Sequence, residues 1–174
     1  MVLKDTKSLA VTAVFTALMC VLGPISLEIG PVPISLGIFA IFLTVYVLGT
    51  EKSVMAVIAY LIIGCAGLPV FAGFSAGASK LFGPTGGYLI GYIFMALIAG
   101  AFTEHVKSIP AKAAGMILGL LVCYAIGTVW LKVALDIDMK QALMLGVIPF
   151  IIPDLLKLIA SIILGEKLKE RLHI

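Results

Sequence analysis

Six stretches of the chain, residues 8–22, 34–48, 53–67, 88–103, 113–135 and 142–164, are almost entirely apolar, and the first four hold no Asp, Glu, Lys, Arg or His. The fifth contains Lys132, and the sixth contains Asp154 and Lys157. A water-soluble domain of 174 residues has too much surface for its volume to hide six such stretches. Sixty-two per cent of the side chains are apolar and 12% charged, about half the charged fraction of a soluble domain. Hydrocarbon tails supply the missing solvent. The pattern predicts an all-α membrane protein, with the lipid bilayer as its surroundings. It excludes a cytosolic enzyme, a secreted disulfide scaffold and a disordered regulator. Nucleic-acid binding is excluded too, because the net charge of +3 is scattered between apolar runs and forms no basic face.

A spanning helix needs about 20 apolar residues, and several of the runs are shorter. Flanking loop must therefore lie at membrane depth, where irregular backbone is tolerated only under protein cover or beside a cavity. Two segments fit: 23–35, with prolines at 24, 31 and 33, and 68–87, rich in glycine and apolar residues. The expected architecture is one domain over 1–174, a compact bundle of six transmembrane helices with re-entrant loops covering an outward-facing pocket. Basic residues set its orientation. Lys4, Lys7, Lys52, Lys107, Lys112, Lys167, Lys169 and Arg171 fall on one side, against Lys80, Lys132 and Lys140 on the other. That asymmetry places both termini in the cytoplasm and the bundle in the cytoplasmic membrane. The first run has no small-residue cleavage site, so it reads as a retained helix.

The sharpest chemical feature is Ile151-Ile-Pro-Asp-Leu-Leu-Lys157. Asp154 and Lys157 are three apart and share one helix face. Ionisable groups at membrane depth cost about 2.5–3.5 kcal/mol each on insertion scales, which favours a working pair over a structural one. Pro153 suits a first helical turn, so a helix is expected to restart there and aim its positive end at the same cavity. A pocket built this way offers a cation for a carboxylate and an acceptor for N–H groups.

Elsewhere, Gly67-Leu-Pro-Val-Phe-Ala-Gly73 precedes Gly83-Pro-Thr-Gly-Gly-Tyr-Leu-Ile-Gly91. Phe71, Phe74 and Tyr88 offer flat surfaces for a small ring system. Gly87 and Gly91 also have the spacing of a helix-packing motif, and the two readings weigh equally. The run from Gly73 to Lys80 imitates a phosphate-binding loop, but no glycine directly precedes the lysine and Leu81 follows it. On the first helix Thr6, Ala10, Ala13, Ala17 and Cys20 form a stripe of small residues; packing within the bundle is its commoner use. No catalytic residues, cofactor or metal are expected. Cys20, Cys65 and Cys123 stand singly, and His105 and His173 complete no nucleophile–base pair.

Together these segments resemble the BioY family, the biotin-specific substrate-binding (S) components of energy-coupling factor (ECF) transporters. The likeness extends over nearly the whole chain. It is carried by Gly30-Pro-Val-Pro-Ile-Ser-Leu36, the two glycine motifs above, and Pro153-Asp-Leu-Leu-Lys157. The resemblance implies biotin capture, with a transmembrane coupling protein (T component) and two ATP-binding-cassette ATPases as partners. It assigns Asp154 to the ureido ring and Lys157 to the carboxylate. Ser35, Phe71, Gly73 and Tyr88 fall in its site motifs, and Ala13 and Ala17 match the stripe that docks on the coupling protein. Gly37 stands where the family usually has Gln, and Phe74, Ser75, Ser79 and Lys80 dilute its glycine-rich stretch. Rival readings are capture of another vitamin, a proton-coupled solo transporter using Asp154, and a structural subunit. Thiamine, a cation, fits poorly beside Lys157, and riboflavin needs a wider aromatic slot than the rings named here provide.

Overall fold

A computed structural model describes residues 6–28 and 30–172; Lys4 and His173 lie outside them. Seven α-helices of eight residues or more account for most of the described residues. Three are long and apolar enough to cross a membrane: α5 (Gly86–His105), α6 (Ile109–Leu135), and α7 (Met139–Gly146) continued by α8 (Ile148–Leu172). Two further apolar helices are shorter, α1 (Thr6–Leu22) and α2 (Gly37–Leu48). α3 (Thr50–Cys65) follows α2 after the single residue Gly49, whose φ of 75° suits glycine.

At 12 residues α2 is only about 18 Å long, well short of the hydrocarbon thickness. All of its residues except Phe39 are buried, because α1, α3, α5 and α8 pack around it. It is the core of the bundle. α5 and α6 form the most intimate pair, and glycines allow it. A methyl added at Gly91 would stand 3.1 Å from the Cα of Cys123, and one at Gly87 would overlap the Cβ of Trp130. The Gly87–Gly91 spacing thus serves helix packing.

On α1 the buried side chains Thr12, Phe15, Thr16 and Met19 recur with helical spacing and face the bundle. Ala10, Ala13 and Ala17 are exposed on the other side, so of the small-residue stripe only Cys20 packs against the core while its alanines do not. That corrects the commoner expectation.

Both loop segments hold regular local structure among their described residues. Residues 23–36 contain a short antiparallel ladder, β1 (Ser26–Leu27) on β2 (Ile34–Ser35). The second segment closes a turn through paired Phe71–Ser75 backbone bonds of 3.0 and 3.2 Å, then forms the single-turn α4 (Ser79–Phe82). The Gly73 amide donates to Ser26 Oγ at 2.8 Å and to the Pro24 carbonyl at 3.2 Å, tying the segments together.

The sixth apolar run departs from expectation. Its break falls at Val147, and Pro153 sits inside α8. Pro149 already fills the first turn, where a missing N–H is harmless, whereas Pro153 forfeits only the bond to the residue 149 carbonyl. The positive helix end therefore lies at Ile148, nine residues before Lys157, and not at Pro153.

Candidate functional site

A cavity of about 510 Å³ lies at the end of the bundle where α5 and α8 begin. That volume falls within the range typical of small-molecule sites. Its buried wall is aromatic, made by Tyr60, Phe71, Tyr88, Tyr92, Tyr124 and Phe150. Both loop segments contribute to the exposed rim, through Glu28 and Gly30 from one and Ser79 and Lys80 from the other.

Three of the wall rings, Phe71, Tyr60 and Tyr88, are positioned by definable contacts. Phe71 rests on the bare face of Gly64 and meets Tyr60 edge-on, with centroids 5.6 Å apart and planes at 84°. Tyr60 donates to the Val70 carbonyl at 3.0 Å, which anchors the second loop. Tyr88 lies on Gly127 and donates to the Gly146 carbonyl at 2.9 Å, joining α5 to the end of α7. The loop before α5 is held by Trp130, whose Nε1 donates to the Gly83 carbonyl at 2.9 Å.

Asp154 and Lys157 are brought together as their spacing requires. Lys157 Nζ donates to Asp154 Oδ1 at 2.8 Å, and Asp154 is fully buried. Tyr124, thirty residues earlier in the chain, donates to Asp154 Oδ2 at 2.7 Å. Neither member of the ion pair belongs to the cavity wall; Tyr124 does. The charged pair thus sits behind the tyrosine. With its proton committed to a carboxylate, the Tyr124 oxygen keeps its lone pairs as acceptors, strengthened by the buried negative charge beyond it.

Of the other residues singled out from the sequence, Ser35, Phe71 and Tyr88 line the cavity, while Gly73 and Phe74 do not. Phe74 is exposed, and Gly73 serves the link between loops. Lys80, the residue of the false phosphate loop, stands on the rim. At Gly37 the amide donates to Ser35 Oγ at 3.2 Å, and an added Cβ would meet that oxygen at 3.1 Å and the Gly23 Cα at 3.5 Å. Ser35 and the Gly23 backbone thus occupy the space beside this position.

Sequence reasoning missed Tyr60, Tyr92, Tyr124 and Phe150. Three of them are tyrosines within apolar runs, and a buried hydroxyl needs a partner. That was the available signal. With six rings, the aromatic wall is also wider than the sequence alone indicated.

The arrangement has the Tyr124 oxygen as an acceptor backed by a buried carboxylate, aromatic sides and a charged, exposed rim. It can hold a small amphiphile with N–H donors at one end. Among the described residues no group of three or more His, Cys, Asp or Glu is placed to hold a metal.

The model of the BioY family matches residues 1–174. "Biotin transporter BioY" of Thermotoga maritima is 40% identical over 164 residues, covering 94% of this chain and 96% of that one. "Probable biotin transporter BioY" of Pyrococcus horikoshii is 40% identical over 163 residues, with the same coverage. A crystal structure of the S-component for biotin from an ECF-type ABC transporter matches with a TM-score of 0.87 at 28% identity, covering 94% of this chain and 91% of that one. The resemblance read from four short motifs is therefore a relationship along the whole sequence, and the chain belongs to the BioY family.

Proposed function

We propose that this chain captures biotin in the aromatic cavity and is the substrate-specific component of an ATP-driven ECF transporter. It is not an enzyme. The observation that carries this reading is the acceptor end formed by Tyr124 on the buried Asp154–Lys157 pair, within a fold shared with a biotin S-component. A urea group presents N–H donors, and the bicyclic body of biotin matches the aromatic sides. Asp154 acts on the ureido end through the Tyr124 oxygen, and Lys157 supplies the cation paired with that carboxylate.

The membrane arrangement belongs to the same proposal. Six passes, formed by α1, α2, α3, α5, α6 and the α7–α8 unit, place the cavity outward and both termini in the cytoplasm. The exposed Ala10, Ala13 and Ala17 face a transmembrane coupling protein, which in turn binds two ATPases. Ala13→Trp with Ala17→Trp is expected to abolish uptake while leaving biotin binding by the purified chain within about twofold, as equilibrium dialysis checks.

Tyr124→Phe removes a hydrogen bond to a charged group, worth about 1.5–3 kcal/mol, and with it the acceptor oxygen. Biotin affinity is expected to fall about 10- to 100-fold by calorimetry. Transport itself is tested in vesicles containing this chain, the coupling protein and both ATPases. Labelled biotin accumulates only with hydrolysable ATP. Accumulation driven by a proton gradient without the ATPases would instead establish the solo-transporter reading.

A further inference from the structure

We infer that Lys80, on the rim, is the residue that holds the anionic tail of the ligand, and that Lys157 is not. The assignment rests on the cavity being a biotin site. Three observations carry it.

First, Lys157 is already committed. Its ammonium lies 2.8 Å from Asp154 Oδ1, its side chain is only 11% exposed, and it contributes nothing to the cavity wall. The pair is neutral as a unit, so an approaching carboxylate meets little net attraction there. Taking Lys157 from Asp154 would also leave a fully buried carboxylate without its cation.

Second, Lys80 is the ammonium of the wall. It lies in α4, is exposed, and forms no ion pair among the described residues. The other charged wall residue, Glu28, comes from the opposite loop, where its carboxylate lies against Gly73. Glu28 repels an anion, so the two rim charges together bias a carboxylate toward α4.

Third, desolvation favours this polarity. An ionised carboxylate loses much free energy when drawn into an apolar interior, whereas urea N–H groups are satisfied by fixed acceptors. The aromatic wall supplies the Tyr124 oxygen as an acceptor, and the rim is exposed. The ligand therefore enters ring first. Its carboxylate stays at the mouth beside Lys80, keeping part of its hydration.

The test compares dissociation constants for biotin and for biotin amide, whose tail is neutral, in the full-length purified protein. The unaltered chain is expected to prefer biotin at least tenfold. In Lys80→Met biotin weakens at least tenfold, the amide stays within twofold, and the preference disappears; Lys80→Arg keeps it. Lys80 is exposed on a one-turn helix, so its replacement leaves folding intact. A preference retained in Lys80→Met, or absent from the unaltered chain, overturns the assignment while leaving biotin capture standing. Failure of the unaltered protein to bind either compound overturns both.

Discussion

Lys157→Met is expected to destabilise the purified protein by about 3–5 kcal/mol and to abolish measurable biotin binding. The substitution leaves Asp154, which no solvent reaches, without its cation. A buried charge stripped of its partner is far more costly than the intact pair is helpful. The same logic makes the double variant informative. Asp154→Leu with Lys157→Met removes both charges, and apolar replacement of a buried pair is often neutral or stabilising. Its stability is expected to return to within about 1 kcal/mol of the parent, while biotin binding stays at least about tenfold weaker because Tyr124 no longer has a carboxylate to donate to. Unfolding in detergent and biotin calorimetry on the same samples read the two effects separately. Recovery of binding along with stability would reduce the pair to a device for helix register.

The second large effect is expected at Gly127. An added Cβ there overlaps the Tyr88 ring, and Tyr88 is fixed from the other side by its bond to the Gly146 carbonyl. Overpacking ordinarily costs about 1–3 kcal/mol. Gly127→Leu inserts a branched side chain between two rigidly tied helices, so about 3 kcal/mol or more is expected, together with weaker biotin binding as Tyr88 leaves the wall. Gly83→Ala is the control. A methyl there makes only ordinary 3.6 Å contacts, at an unstrained backbone φ of −78°, and stability should change by no more than about 0.5 kcal/mol. Thermal unfolding in detergent distinguishes the two.

These cases show which parts of the molecule its residue order reveals. Asp154 and Lys157 were legible because a helical repeat alone places residues three apart on one face, and the structure closes that pair at 2.8 Å. The membrane environment was legible because uninterrupted apolar runs have no other solvent. Tyr124 was not. Its role depends on α6 passing α8 at one particular height; a hydroxyl in an apolar run signals that a partner exists but does not say which one. Tyr60, Tyr92 and Phe150 are likewise ordinary apolar-run residues until the helices are assembled. The position of the break before α8 was misread for the opposite reason, because a strong local cue at Pro153 was overridden. Gly146 approaches Tyr88 closely, and Pro149 already occupies the first turn of α8, so the helix begins five residues before Pro153. The exposed alanines of α1 illustrate a third case. The stripe was visible, but whether it faced inward or outward depended on which side Phe15 and Met19 took.

Native mass spectrometry of the detergent-purified chain, expressed in cells supplied with biotin, tests the central claim most directly. The expected result is one added mass per chain equal to that of biotin, retained in the unaltered protein and absent from the folded Asp154→Leu, Lys157→Met double variant. An empty chain under biotin excess, or the reproducible mass of a different vitamin, would contradict it.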